Sequence, residues 1–206
     1  MSIRRSSVGR VDTQRLETFS DGVFAIAVTL LSLDVRVPAG HGSLAHGLWQ
    51  AWPGYLGYVL SFVIIGIMWA NHHSIFRLID RTTHGLVVAN LLLLLCVAFL
   101  PFPTKVLGEH LQGSGADQRT ATIFYSGSFF VTALFYNAVW QVASRRNRLI
   151  APGSEAAAAE VTRRFNYGPP SYLLATVVAI VSAPASLAVD GALALLYILP
   201  QRDPGA

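Results

Sequence analysis

Apolar runs long enough to cross a bilayer recur along this chain, and each leaves room for little else. About 20 apolar residues let a helix span the hydrocarbon core. Runs of that order fall at roughly residues 16–37, 48–75, 85–107 and 120–143. The third contains LLLLLCVAFLPFP, where Pro101 and Pro103 are expected to kink or end the helix. Residues 168–200 are one further apolar region, too long for a single span. Broken near Pro184, it reads as a hairpin of two short helices at about 171–183 and 185–199. Charged residues are 13% of the chain, against about 25% in soluble domains, while 53% are hydrophobic and mean hydropathy is +0.49. The pattern predicts an all-α protein: a six-span transmembrane helical bundle occupying residues 1–206 as a single domain, with the lipid bilayer as its solvent.

The connections carry the remaining polarity. Residues 1–14 read as a polar, basic and mobile end, 38–47 as a Gly/His loop, and 144–167 as a loop with a short solvated amphipathic helix at Ser154–Arg164. No short apolar segment with a small-residue cleavage site follows MSIRRSSVGR, so no removable signal peptide is expected. With the N-terminus inside, the inner segments hold twelve of the fifteen Lys and Arg residues, and Arg36, Lys105 and Arg119 lie outside. That bias places both termini in the cytoplasm of a multi-pass cell-membrane protein and requires an even number of spans. The net charge of +4 therefore orients helices rather than binding nucleic acid. Cys96 is the one cysteine and excludes an internal disulfide.

The most informative stretch is Arg15 to Pro38, RLETFSDGVFAIAVTLLSLDVRVP. On a helix, Phe19, Ile26, Leu30 and Leu33 fall within roughly 60° of one another. Gly22, Ala25 and Ala27 keep other parts of the helix slim, which suits close helix approach in a membrane. Asp21 lies about 9 Å deeper than Arg15 along the axis. A carboxylate there needs a partner, and Arg15 points about 120° away. The second span returns to the same side with Trp69, Asn71, His72 and His73. A cluster of Arg15, Ser20, Asp21, Trp69 and His72 or His73 is therefore expected. It is either a structural network that fixes packing or one in which a histidine titrates. From the residues alone the stripe is equally open: it is ordinary packing, or it faces something at the middle of an assembly. Thr29 could simply bond back to its own helix.

Other chemistries find little support. Adjacent histidines diverge by about 100° on a helix, whereas helical metal pairs sit at i and i+4, so no metal site is expected at His72–His73. His41 and His46 sit in a glycine-rich loop. Asp190 is expected to play a structural or interfacial part. The chain holds no TVGYG filter, H-E-x-x-H, G-x-S-x-G or paired intramembrane aspartates, so neither a carbonyl-lined filter nor an enzyme is expected.

Two stretches do resemble a known family. The run from Arg15 through Phe19-Ser20-Asp21 to Thr29 is similar to the RxxxFSD signature that opens the first helix of the transmembrane protein 175 family of potassium channels. The run WANHHSIF, from Trp69 to Phe76, resembles that family's second-helix end. The resemblance implies a homotetramer conducting K⁺ through a central pore lined by the first helix, with no P-loop filter and no cofactor. Layers of bulky apolar side chains would form the constriction, carried here by Ile26 first, then Leu30 and Leu33, with Thr29 beside them. It also implies a network holding the pore helix, carried by Arg15, Phe19, Ser20, Asp21, Trp69 and His73, with His72 beside it. The rival from another class is a proton-coupled secondary transporter using Asp21 and His72 or His73 as a relay.

Overall fold

A computed structural model describes residues 4–35, 43–113, 115–145 and 149–198. The first part of the expected Gly/His loop, with His41, lies outside the described residues, as do Arg36, Arg146, Arg148, Arg202 and the side chains of Arg4, Arg5 and Arg10.

The described residues are helical almost throughout. The first helix, α1, runs Arg4–Leu30 and tightens into a 3₁₀ turn over Leu31–Asp34. It starts well before the expected residue 16, because no proline between residues 4 and 15 stops the helix that the apolar run propagates. The second half of the expected Gly/His loop is also helical. Ser43 caps α2 (Leu44–Gln50), its Oγ accepting from the His46 N–H at 3.2 Å. Pro53 then forces a fresh start, so α3 is Trp52–Phe76 and does not continue from α2.

The third apolar run divides at its prolines into α4 (His84–Phe99) and α5 (Pro101–His110). Then come α6 (Gly115–Ser144), α7 (Glu155–Phe165), α8 (Gly168–Val181) and α9 (Ala183–Ile198). The α8–α9 break falls at Ser182, which is extended (φ −149°, ψ 111°), just ahead of Pro184. Among the described residues, four stretches are long and apolar enough to cross a membrane: Thr13–Leu33, Trp52–Phe76, His84–His110 and Gly115–Ser144.

The long helix α6 packs against α4, α5, α7, α8 and α9, and its Tyr125, Phe129, Val139 and Trp140 are fully enclosed. The first helix lies to one side, packed on α3, α4 and α5. Thr13 bonds Thr82 at 2.8 Å, and backbone bonds of 2.8 Å join Asp80 to Leu149 and Ala151 to Leu78. These bring the start of the first span, the α3–α4 loop and the α6–α7 loop to one end of the bundle. Arg77, Arg81, Arg145, Arg163 and Arg164 belong to the segments at that end.

Close backbone approach joins α3 to α5. A Cβ added at Gly108 would stand 3.1 Å from the Gly54 Cα, whereas one added at Gly54 would meet nothing within 4 Å. Small residues at such a crossing allow the dispersion contacts that hold membrane helices together. Gly108→Val is therefore expected to lower stability by about 1–3 kcal/mol through overpacking, while Gly54→Ala leaves it unchanged or raises it. Thermal unfolding in detergent reads both.

Candidate functional site

The first span has two unlike faces. Ser20, Phe24, Ala27 and Leu31, spaced four, three and four apart, are almost completely buried against the neighbouring helices. On the other side Phe19 is 56% exposed, Ile26 60%, Leu30 41% and Leu33 77%. Gly22 lies open on this side too. Thr29 is exposed, and its hydroxyl donates to the Ile26 carbonyl at 2.9 Å. Ser32 likewise donates to the Thr29 carbonyl at 2.9 Å, so both hydroxyls are tied to the helix that carries them.

Exposed apolar side chains are ordinary on a membrane helix, so the composition of the face is what matters. Between Val88 and Phe99 the exposed positions of α4 are Val88, Leu91, Leu92, Leu95, Ala98 and Phe99, all apolar. The exposed face of the first span mixes Phe19, Ile26, Leu30 and Leu33 with Arg15, Thr18, Gly22, Thr29 and Ser32. A lipid-facing surface gains nothing from such polar and small residues.

A chain of polar groups sets the rotation of this helix. The Ser20 hydroxyl donates to the Leu16 carbonyl at 2.8 Å and accepts from Asn90 Nδ2 on α4 at 2.9 Å. Asn90 Oδ1 lies 2.8 Å from His72 Nε2 on α3. With the amide N–H₂ turned to Ser20, its oxygen must accept, so His72 donates from Nε2. Its Nδ1 then carries the lone pair, and it is buried without a hydrogen-bond partner. The His72 ring stacks on Phe76 with centroids 4.3 Å apart and meets Phe24 at 5.4 Å. Ser20, Asn90 and His72 are all completely buried.

A second, more exposed set lies beside it. Trp69 Nε1–H donates to Asp21 Oδ1 at 2.9 Å, and His73 Nδ1 lies 2.7 Å from Glu17 Oε1. The Trp69 and His73 rings stack at 6.5 Å. The residues expected to form one cluster are thus divided. Ser20 and His72 share the inner chain through Asn90, while Asp21 and Trp69 pair in the outer set. His73 turns to Glu17, Phe19 lies on the exposed face, and Arg15 stays exposed beside a cleft walled by Leu16, Phe19, Thr82, Thr83, His84 and Val87. Sequence reasoning passed over Asn90 and Glu17. The signal for Asn90 was an amide inside VVANLLLLLC, because a polar side chain at membrane depth must find a partner. Chemically, both sets can hold helices in register, and the exposed stripe can line a surface completed by other copies.

Comparison with known proteins follows the same two helices. A family model described as "Endosomal/lysosomal potassium channel TMEM175" matches residues 15–101, which include both the RxxxFSD run and WANHHSIF. A Streptomyces collinus protein named as a potassium channel is 46% identical over 189 residues, covering 90% of this chain and 91% of that protein. A solved crystal structure of a lysosomal potassium-selective channel TMEM175 homolog from Chamaesiphon minutus superposes with a TM-score of 0.83 at 38% identity, covering 92% of this chain and 97% of that one. The Gallus gallus protein named endosomal/lysosomal proton channel TMEM175 is 34% identical over 145 residues, 66% of this chain and 29% of that protein.

The two polar sets should differ in what they contribute. Asn90→Leu, close in volume, leaves the His72 Nε2–H buried without an acceptor and is expected to cost about 1–3 kcal/mol. Trp69→Phe is expected to cost less, about 1 kcal/mol, because water reaches the partly exposed Asp21 carboxylate in place of the indole. Thermal unfolding of the two variants ranks them, and a larger loss for Trp69→Phe would reverse the assignment.

Proposed function

The chain belongs to the TMEM175 family, and from that premise we propose that it is a potassium channel in which several copies of the first span surround the ion path. The observation that carries this reading is the mixed exposed face of that helix. One such face per chain cannot enclose a pore, but a cyclic oligomer repeats it around an axis. Four copies would bring four Ile26 side chains together, with rings of Leu30 and Leu33 one and two turns further along. Thr29 would sit between the first two rings, its hydroxyl already committed to the Ile26 carbonyl.

A ring of isoleucine offers no oxygen to replace an ion's hydration shell. Such a constriction discriminates by how much water an ion must shed and by dewetting when it narrows. K⁺ holds its water less tightly than Na⁺, so K⁺ passes at lower cost. The buried Ser20–Asn90–His72 chain would keep the stripe pointed inward.

The membrane arrangement follows the same reading. Six crossings would be made by the first span, α3, the bent α4–α5 unit, α6, α8 and α9. At 14 and 16 residues, α8 and α9 are short for spans, and they pack on each other. The arginine-bearing end of the bundle would face the cytoplasm, together with both termini. A relay through Asp21 and a histidine has weaker support. Asp21 is bonded to an indole, His72 to an amide in a closed site and His73 to Glu17, and the described hydrogen bonds link neither histidine to Asp21.

Ile26→Asn tests the proposal. Four amides at the constriction would hydrate it, so K⁺ flux in liposomes should rise and the K⁺/Na⁺ permeability ratio should fall by about tenfold, equivalent to about 1.4 kcal/mol of barrier. Leu95→Ala on the apolar face of α4 should leave both unchanged. Wild-type flux and selectivity in the Ile26 variant would contradict the assignment.

A further inference from the structure

A carboxyl group lies far from the first span, enclosed where α6, α8 and α9 meet. Asp190 on α9 is completely buried, as are Ser126 on α6 and Ser186 on α9. Ser126 Oγ is 2.7 Å from Asp190 Oδ2 and 3.1 Å from Ser186 Oγ, and Ser186 Oγ is 2.8 Å from the Ala175 carbonyl on α8. Asp190 Oδ1 is buried with no hydrogen-bond partner. The titratable groups facing it are phenols: Tyr125 from α6, itself bonded to Ser61 of α3, and Tyr172 from α8. Among the described residues no cation stands against it.

The hydrogens can be counted. A carbonyl only accepts, so Ser186 spends its one hydroxyl hydrogen on Ala175. Ser126 has one hydroxyl hydrogen for two contacts, Asp190 at 2.7 Å and Ser186 at 3.1 Å. Given to Asp190, it leaves the contact between the serines empty; given to Ser186, it leaves the shorter contact to a hydrogen on the carboxyl. A neutral carboxyl is the arrangement that fills all three contacts at once. Charge decides between the two. An ionised carboxylate here would have at most one donor on one oxygen, no donor on the other and no counter-ion, and a buried charge so placed is very costly. A neutral acid leaves only an unpaired carbonyl oxygen, a far smaller loss.

We infer that this corner is a proton-binding site, in which Asp190 is held as a neutral carboxylic acid donating to Ser126. The hydrogen bonds run one way, from Asp190 to Ser126 to Ser186 to the Ala175 carbonyl, and fasten α9 to α6 and α8. The proton comes from solvent. Loss of it strands a charge at the junction, and the charge is relieved by parting α9 from α6 and α8 to admit water. The folded chain thus keeps a proton that the unfolded carboxyl releases, so stability falls as pH rises. The site stands whether or not the first span lines a pore.

Infrared difference spectroscopy of the full chain in detergent tests this across a pH titration. The carbonyl stretch of a hydrogen-bonded carboxylic acid is expected in mildly acidic buffer, should fade as the pH rises and should be absent in Asp190→Asn. Asparagine retains an N–H for Ser126, so that variant should fold and its melting temperature should depend less on pH than the wild type's. Ser126→Ala removes the acceptor while keeping the acid, and its band should move to the higher frequency of a free acid. That readout holds even if Asp190→Asn fails to fold. The inference is overturned if the folded wild type shows no acid band, or if the band survives in Asp190→Asn or is unmoved in Ser126→Ala. It is equally overturned if added Na⁺ or K⁺ stabilises a band-free protein, because the corner would then bind a metal cation.

Discussion

The Asn90 amide and the His72 imidazole, buried in an apolar bundle, have only each other and the Ser20 hydroxyl to bond, and that constraint governs the first span. Ser20, Asn90 and His72 come from three different helices and meet in one line. Turning the first span by one residue, about 100°, would carry Ser20 away from Asn90 and leave buried donors and acceptors unpaired. Each such loss costs about 1–3 kcal/mol. Apolar packing alone tolerates sliding and rotation, because one branched side chain replaces another at small cost. The polar line does not, so it fixes which face of the helix Phe24, Ala27 and Leu31 occupy and which face Ile26, Leu30 and Leu33 are left to present.

The outer pairs act differently. Asp21–Trp69 and Glu17–His73 lie nearer water, where a lost partner is replaced by solvent. They attach the first span directly to α3 at two points about one turn apart, Glu17 and Asp21 on one helix facing His73 and Trp69 on the other. Two attachments at different depths hold the tilt as well as the rotation of the helix. The far side of the bundle uses the same device with different groups, since hydroxyls and one carboxyl join α6, α8 and α9. In lipid, where apolar contact between helices is no better than contact with acyl chains, such polar joints decide which helix faces which.

Much of this was legible in the residues. The all-helical character follows from the apolar runs, and the family was recognisable from the RxxxFSD and WANHHSIF stretches. The breaks near Pro101 and Pro184 were expected from the missing N–H of proline, whereas the break at Pro53, inside the expected second span of 48–75, has the same cause but was not expected. What escaped was partnership. Asn90 sits alone among leucines in the sequence, and nothing in its spacing says that Ser20, 70 positions earlier, will meet it. Two adjacent histidines look interchangeable on paper. In the fold the 100° between them sends His72 inward to the amide and His73 outward to Glu17. Asp190 gave even less away. The hairpin of α8 and α9 was expected from the break near Pro184, but the burial of Asp190 also depends on that hairpin packing against Ser126 of α6, which no local pattern records.

The account rests on the first span standing at the centre of an assembly, with its stripe inward and the leucines of α4 outward. Electron–electron resonance distances between single spin labels at residue 33, compared with labels at residue 95, measure this directly in a chain with Cys96 replaced. For a tetramer, residue 33 should give the shorter distances, in the ratio of the side to the diagonal of a square, and residue 95 the longer ones. Distances at residue 33 equal to or longer than those at residue 95 would put the stripe at the periphery and contradict the account.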